Sequence, residues 1–203
     1  GLYVDEWGNW FDVEPGTNPG FLFQQNSLRD AVVAATNLNI FNNHCDRVHM
    51  ANIAQTVNVL QAMILTQEEK MILTPTYHVF EMFSVHQDAL LLPISVESDL
   101  LCGPDGKELP ALSVSASRDE EGRVHLTLVN IHPEEDLNME LDIRGMEFKD
   151  VSGRILTSDQ ISDHNTFEDP EAVHPEEYKG LKAGIDGIEF NLPAKSVLVL
   201  EIN

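Results

Sequence analysis

After Gly1 the chain runs through Leu2-Tyr3-Val4-Asp5-Glu6-Trp7, a short apolar run of β-prone residues that ends in two carboxylates and a tryptophan. Turn-forming residues crowd the segment 14–20, apolar residues recur at helical spacing over 26–41, and 48–54 is a second apolar run. This order predicts a buried strand, a long loop, a helix capped by Asn26 or Ser27, and a second parallel strand.

The next two segments continue this alternation less regularly. Residues 57–73 contain two apolar runs around a polar centre, which predicts either an irregular excursion or a hairpin. Residues 75–86 carry apolar positions at helical spacing behind Pro75. They predict a helix, because proline suits the first helical turn.

The pattern changes after residue 87 to short apolar runs with a period of two, separated by Gly, Pro, Asp and Asn. The runs are 89–96, 112–116, 124–130, 139–143, 154–157, 185–191 and 196–202. Such spacing predicts an antiparallel, jelly-roll-like sandwich of about seven strands. We therefore predict an α/β unit over residues 1–88 and an all-β unit over 89–203.

A complete (β/α)8 barrel needs about 250 residues, far more than the first unit provides. Two βα units are thus either a small open α/β layer or the C-terminal part of a larger barrel. Helical and strand spacing alone leaves both alternatives open.

Composition excludes several classes of protein. Lys and Arg number 12 against 34 Asp and Glu, for a net charge of −22, and such a field repels phosphates. We expect no nucleic-acid partner, and the apolar runs are too short for a membrane helix, which needs about 20 residues.

Cys45 and Cys102 are too few for a disulfide framework, and the spacing of His44 and His49 matches no metal motif. We predict no metal and no cofactor.

Glu6 is the strongest catalytic candidate, because it ends a predicted strand between Trp7 and Trp10. Strand C-termini build the active sites of α/β barrels. A retaining glycosidase needs one carboxylate as nucleophile and a second as acid/base, with aromatic rings against the sugar. The alternative is that Glu6 caps the next element and both tryptophans are core residues.

Several motifs together resemble glycoside hydrolase family 51, the retaining α-L-arabinofuranosidases. They lie, in the family's order, at 5–7 with Trp10, and at 26–31, 44–48, 50–58, 77–83, 165–170 and 192–197. The resemblance covers nearly the whole chain. It implies that these residues are the last two βα units of a (β/α)8 TIM barrel followed by the C-terminal sandwich.

The resemblance also implies roles for individual residues. Glu6 would be the nucleophile, Trp10 would line the sugar subsite, and Gln55 would hydrogen-bond the sugar. The substrate would be an arabinose-containing oligosaccharide or polysaccharide, cleaved at terminal α-L-arabinofuranosyl groups. The family's acid/base is a Glu after an Asn, and no Asn-Glu pair occurs in this sequence. We therefore expect this portion of the enzyme to be inactive alone. We further expect the full-length enzyme to be cytoplasmic and homo-oligomeric.

Two other functions compete with this one. The chain could be a non-catalytic carbohydrate-binding or interaction module, with Trp7 and Trp10 as its sugar platform. A binding sandwich should carry its own aromatics, yet residues 89–203 contain no Trp and only four Phe or Tyr. The other competitor is a related barrel glycosidase, such as a xylosidase or endoglucanase.

Overall fold

The computed structural model of the chain describes residues 1–103, 105–184 and 187–203. The α/β part contains two parallel strands, two helices, a hairpin and two short 3-10 turns. Its elements are β1 (Leu2–Trp7), a 3-10 turn (Pro19–Phe21), α1 (Leu28–Asn43), β2 (Val48–Ile53), β3 (Ile64–Gln67), β4 (Lys70–Leu73), α2 (Pro75–Phe83) and a 3-10 turn (Ser84–His86). The predicted order of elements is observed, and β3 with β4 resolves the segment 57–73 as a hairpin.

The first helix begins where the sequence indicated. Ser27 is the N-cap of α1, and its backbone N–H donates to Oδ2 of Asp30 at 2.8 Å. A carboxylate three residues after the cap satisfies a free backbone donor of the first turn. The second predicted helix is shorter than expected, since α2 ends at Phe83 and continues only as a 3-10 turn to His86.

The remaining strands form the all-β part. They are β5 (Leu90–Leu91), β6 (Leu100–Cys102), β7 (Glu108–Pro110), β8 (Leu112–Arg118), β9 (Val124–Asn130), β10 (Leu137–Leu141), β11 (Val151–Leu156), β12 (Glu176–Glu177), β13 (Lys182–Ala183), β14 (Ile188–Leu192) and β15 (Ser196–Ile202). An antiparallel sheet of order β12-β11-β15-β9-β8-β5 faces a smaller sheet of order β10-β14-β13, and β6 pairs with β7.

The predicted strands 89–96 and 185–191 differ from the observed strands. The predicted strand 89–96 is wrong in extent, because only Leu90–Leu91 pairs within it and Pro93 lacks the N–H that a ladder requires. The predicted strand 185–191 begins on Ile185 and Asp186, which lie outside the described residues; the observed strand is Ile188–Leu192.

The central strands β9 and β15 of the six-stranded sheet are buried on both faces. Leu198 and Leu200 of β15 face the smaller sheet, whereas Val197 and Val199 face α1 and α2. This division follows from the period of two along a strand. The helices and the sheet therefore share one apolar core, and the boundary between residues 88 and 89 stays a prediction.

A polar cluster interrupts this core beneath α1. His86 Nδ1 lies 2.7 Å from Oγ of Ser117, and its Nε2 lies 2.9 Å from Oγ1 of Thr127. Thr127 in turn donates to Oδ1 of Asn39 at 2.6 Å. The cluster joins the 3-10 turn after α2, the C-terminal half of α1 and two strands of the sheet, so it fixes how the helices pack on the sheet.

We expect His86 to make stability depend on pH. Burial, together with nearby His125, lowers the pKa of His86 from 6.5 to about 4. Between pH 6.5 and about pH 4, His86 is therefore protonated in the unfolded chain but neutral in the folded chain. Stability should fall as pH falls through this window, by at most about 3 kcal/mol. Urea midpoints at several pH values should decline less steeply in His86→Gln than in the wild type; equal slopes would contradict the prediction.

Candidate active site

The parallel pairing of β1 and β2 sets the position of the site. Val4 is opposite Ala51 and Trp7 is opposite Ile53, and the N–H of Ala54 donates to the carbonyl of Trp7 at 2.8 Å. Because the strands run in the same direction, their C-terminal ends meet at one edge. Glu6 and Gln55, which the sequence analysis singled out, therefore lie at the same edge.

A β-bulge lies at the end of β1. Between the paired positions there are three steps along β1, from Val4 to Trp7, but only two along β2. Val4 and Trp7 are half-buried, whereas Asp5 and Glu6 between them are exposed. Bulges re-aim side chains and are common beside active sites. Here the bulge presents the Glu6 carboxylate to solvent.

Trp7 packs on the helical side of β1. Its ring contacts Phe41 of α1 edge-on at 5.3 Å between centroids, and stacks on Phe80 of α2 at 6.2 Å. Trp7 is therefore packed against the two helices, as the alternative with core tryptophans expected for this residue. The contacts anchor the end of β1 against both helices.

Trp10 lies on the loop after β1, and its side chain is 67% exposed. The residues on either side are held. Asn9 Nδ2 donates to Oδ1 of Asp30 at 2.8 Å, and the N–H of Phe11 donates to Oε1 of Gln24 at 2.7 Å. An exposed aromatic between two anchored residues is a suitable surface for a sugar ring.

Gln55 lies two residues after the end of β2, and its side chain is exposed. Its carbonyl accepts from the N–H of Met63 at 3.3 Å, and the carbonyl of Thr56 accepts from the N–H of Ile64 at 2.9 Å. These bonds close the loop that follows β2. An exposed amide on a closed loop can both donate to and accept from hydroxyl groups.

A layer of buried polar side chains beneath these loops was missed by the sequence analysis. Gln24, Asp30 and Gln61 are all at least 95% buried. The capping position of Asp30 was the one available signal, since a carboxylate at that position is typical of a helix N-terminus. Nothing in the sequence distinguishes Gln24 or Gln61 from surface residues.

The segment at His44 and Cys45 ends the first helix. His44 is the C-cap of α1, and Cys45 is an exposed free thiol. In residues 1–103, 105–184 and 187–203, no three His, Cys, Asp or Glu side chains converge as a cation would require. Within the same ranges, no helix has the length and apolar character to cross a bilayer.

A family model, described as the Alpha-L-arabinofuranosidase C-terminal domain, matches residues 5–196. The chain belongs to this family. The arabinofuranosidase C-terminal domain thus includes both the β1–α1–β2–α2 layer and the sandwich.

The chain is also similar to proteins of known name and structure. The chain is 44% identical to the intracellular exo-alpha-L-arabinofuranosidase of Bacteroides ovatus, over 99% of the chain and 39% of that protein. The crystal structure of the family 51 arabinofuranosidase from Xanthomonas axonopodis pv. citri superposes with a TM-score of 0.95 at 45% identity, over 100% of this chain and 41% of that one.

The arabinose complex of the alpha-L-arabinofuranosidase from Thermotoga maritima also superposes, with a TM-score of 0.82 at 25% identity, over 98% of this chain and 42% of that one. The chain therefore spans about two fifths of the length of these arabinofuranosidases. The resemblance to family 51 and the predicted fold class are confirmed.

Proposed function

We propose that this chain supplies the nucleophile and part of the sugar site of a retaining, exo-acting α-L-arabinofuranosidase. The observation that carries the proposal is the exposed carboxylate of Glu6, in a bulge at the C-terminal end of β1. It lies at the same strand edge as Gln55, in a chain whose relatives are named arabinofuranosidases.

In this mechanism the ionised Glu6 attacks the anomeric carbon of a terminal arabinofuranosyl group. The bond to the leaving oxygen breaks while a second carboxyl group protonates that oxygen, which gives a covalent glycosyl–enzyme. The second group then deprotonates a water molecule, which attacks the same carbon and releases arabinose and free Glu6. Two inversions give net retention of configuration.

The second carboxyl group must lie about 5 to 5.5 Å from that of Glu6. The sequence contains no Asn-Glu pair of the family type. We therefore propose that the acid/base comes from another part of the complete protein, and we expect residues 1–203 alone to be inactive.

Trp10 and Gln55 bind the sugar in this proposal. The exposed indole of Trp10 would lie against the arabinofuranose ring, and the amide of Gln55 would hydrogen-bond its hydroxyl groups. The substrates are arabinose-containing oligosaccharides or polysaccharides. We also propose that the complete enzyme is homo-oligomeric and lies in the cytoplasm; the word "intracellular" in the name of the Bacteroides relative supports the location.

The test is hydrolysis of 4-nitrophenyl α-L-arabinofuranoside by the complete protein, followed by proton NMR of the first sugar released. We expect the α anomer to form before mutarotation, because double displacement retains configuration. The matched comparison substrate is 4-nitrophenyl β-D-xyloside. A β anomer would contradict the retaining mechanism, and faster cleavage of the xyloside would favour the xylosidase alternative.

A further inference from the structure

We infer that Asp30 is a positioning residue that holds Trp10 in place for the sugar, through its hydrogen bond to the neighbouring Asn9. This inference rests on the proposed function for the role of Trp10. The anchoring itself rests on contacts within the described residues.

Asp30 ties the loop to the start of α1. Its side chain is 4% exposed, and its two oxygens have different partners. Oδ2 accepts from the backbone N–H of Ser27 at 2.8 Å and from Arg29 at 3.2 Å, so it is occupied by the helix end. Oδ1 accepts from Nδ2 of Asn9 at 2.8 Å. A charge-assisted bond to a rigid helix fixes Asn9 more firmly than an exposed loop contact would.

Gln24 holds the other side of Trp10. Its side chain is 2% exposed, and its Oε1 accepts both from the N–H of Phe11 at 2.7 Å and from Nε2 of Gln61. The guanidinium of Arg29 lies 3.7 Å from the centre of the Phe11 ring, which adds a cation–π contact. One buried oxygen therefore connects the loop after β1 with the loop after β2.

The two anchors act on a residue that has little packing of its own. Trp10 is 67% exposed, so its position depends on the backbone of residues 9–11. Misplacing a binding group by about 1 Å can reduce the rate by about 100-fold even when the change is remote from the reacting atoms. Loss of an anchor should therefore impair sugar binding.

The test uses the complete protein and a reciprocal exchange. Asn9→Asp places a second carboxylate against Oδ1 of Asp30, and the two charges repel. In the double variant Asn9→Asp/Asp30→Asn the two side chains exchange roles. The amide nitrogen at position 30 donates to the carboxylate at position 9, and the amide oxygen at position 30 still accepts from the N–H of Ser27. Asn39→Ala is the matched control: it removes a fully buried amide from the same helix, but its partners Ser113 and Thr127 lie in the sheet.

Two readouts separate positioning from stability. The first is KM and kcat for 4-nitrophenyl α-L-arabinofuranoside. The second is the ¹⁹F NMR signal of 5-fluorotryptophan at position 10, assigned by its disappearance in Trp10→Phe. We expect Asn9→Asp to raise KM by about tenfold or more, to change kcat less and to shift the Trp10 signal. The double variant should restore the wild-type KM and the wild-type Trp10 signal. Asn39→Ala should lower Tm but leave KM and the Trp10 signal unchanged.

The inference is overturned if Asn9→Asp leaves KM and the Trp10 signal unchanged, or if a double variant with wild-type Tm recovers neither. Absence of turnover in the wild type would instead remove the proposed function. The Trp10 signal still decides in that case: a shift that the exchange reverses supports the anchoring, and an unchanged signal overturns it.

Discussion

Glu6→Ala is expected to reduce the turnover of an aryl α-L-arabinofuranoside by the complete protein roughly 10⁴-fold or more, which is typical of the loss of a nucleophile. The carboxylate is exposed in the bulge of β1, so its removal leaves room at the strand end without opening a cavity in the core. Sodium azide should restore turnover, because the small anion can attack the anomeric carbon from the vacated side. The product should be a glycosyl azide of inverted configuration, identifiable by NMR.

Asp5→Ala is the matched control for this experiment. Asp5 is the neighbouring exposed carboxylate in the same bulge, so the variant loses an equal charge. We expect its kcat to stay within about threefold of the wild type, since a surface charge affects the reaction only through a screened field. Unchanged turnover in Glu6→Ala, or azide rescue of Asp5→Ala, would show that the nucleophile is assigned to the wrong residue.

Leu156→Ala should cause the largest loss of stability, about 2 to 5 kcal/mol in the free energy of unfolding. Leu156 ends β11, is 0% exposed and lies in the core shared by the sheet and the two helices. Truncation removes buried methyl groups and leaves a cavity that two layers of structure must close. Urea unfolding followed by circular dichroism would measure the loss.

The comparison for that experiment is Leu90→Ala, which deletes the same atoms from a side chain that is 59% exposed. Its effect should stay within about 0.5 kcal/mol. If Leu156→Ala cost no more than Leu90→Ala, the helices would not depend on the sheet for their stability, and the shared core would be energetically unimportant.

Elements with a sustained period were predictable from the sequence. The helix α1 has a capping residue and a repeating apolar face, β9 alternates apolar and polar residues from Val124 to Leu128, and β15 contains the continuous apolar run Val197–Leu200. Strands of two or three residues were not predicted, because β6, β7, β12 and β13 are too short to show a period. β12 and β13 pair with the longer strands β11 and β14, whereas β6 and β7 pair with each other.

Some residues of the candidate site were also predictable from the sequence, and others were not. Glu6, Trp10 and Gln55 follow predicted strands, so motif and position pointed to them. Gln24 and Asp30 did not stand out, because their function depends on partners 13 and 21 residues away in the sequence. The sequence alone does not distinguish a buried glutamine from an exposed one, because the difference depends on neighbours that only the fold brings close.

The six-stranded sheet, whose central strands are buried on both faces, limits how this chain can be exchanged between enzymes. A chimera joined between α2 and β5 would give the sheet foreign helices, and Val129, Val197 and Val199 would meet side chains of the wrong size. A junction placed before β1 keeps both helices with their own sheet. A sandwich exchanged at the first junction should therefore need matching substitutions in α1 and α2 to keep the shared core packed.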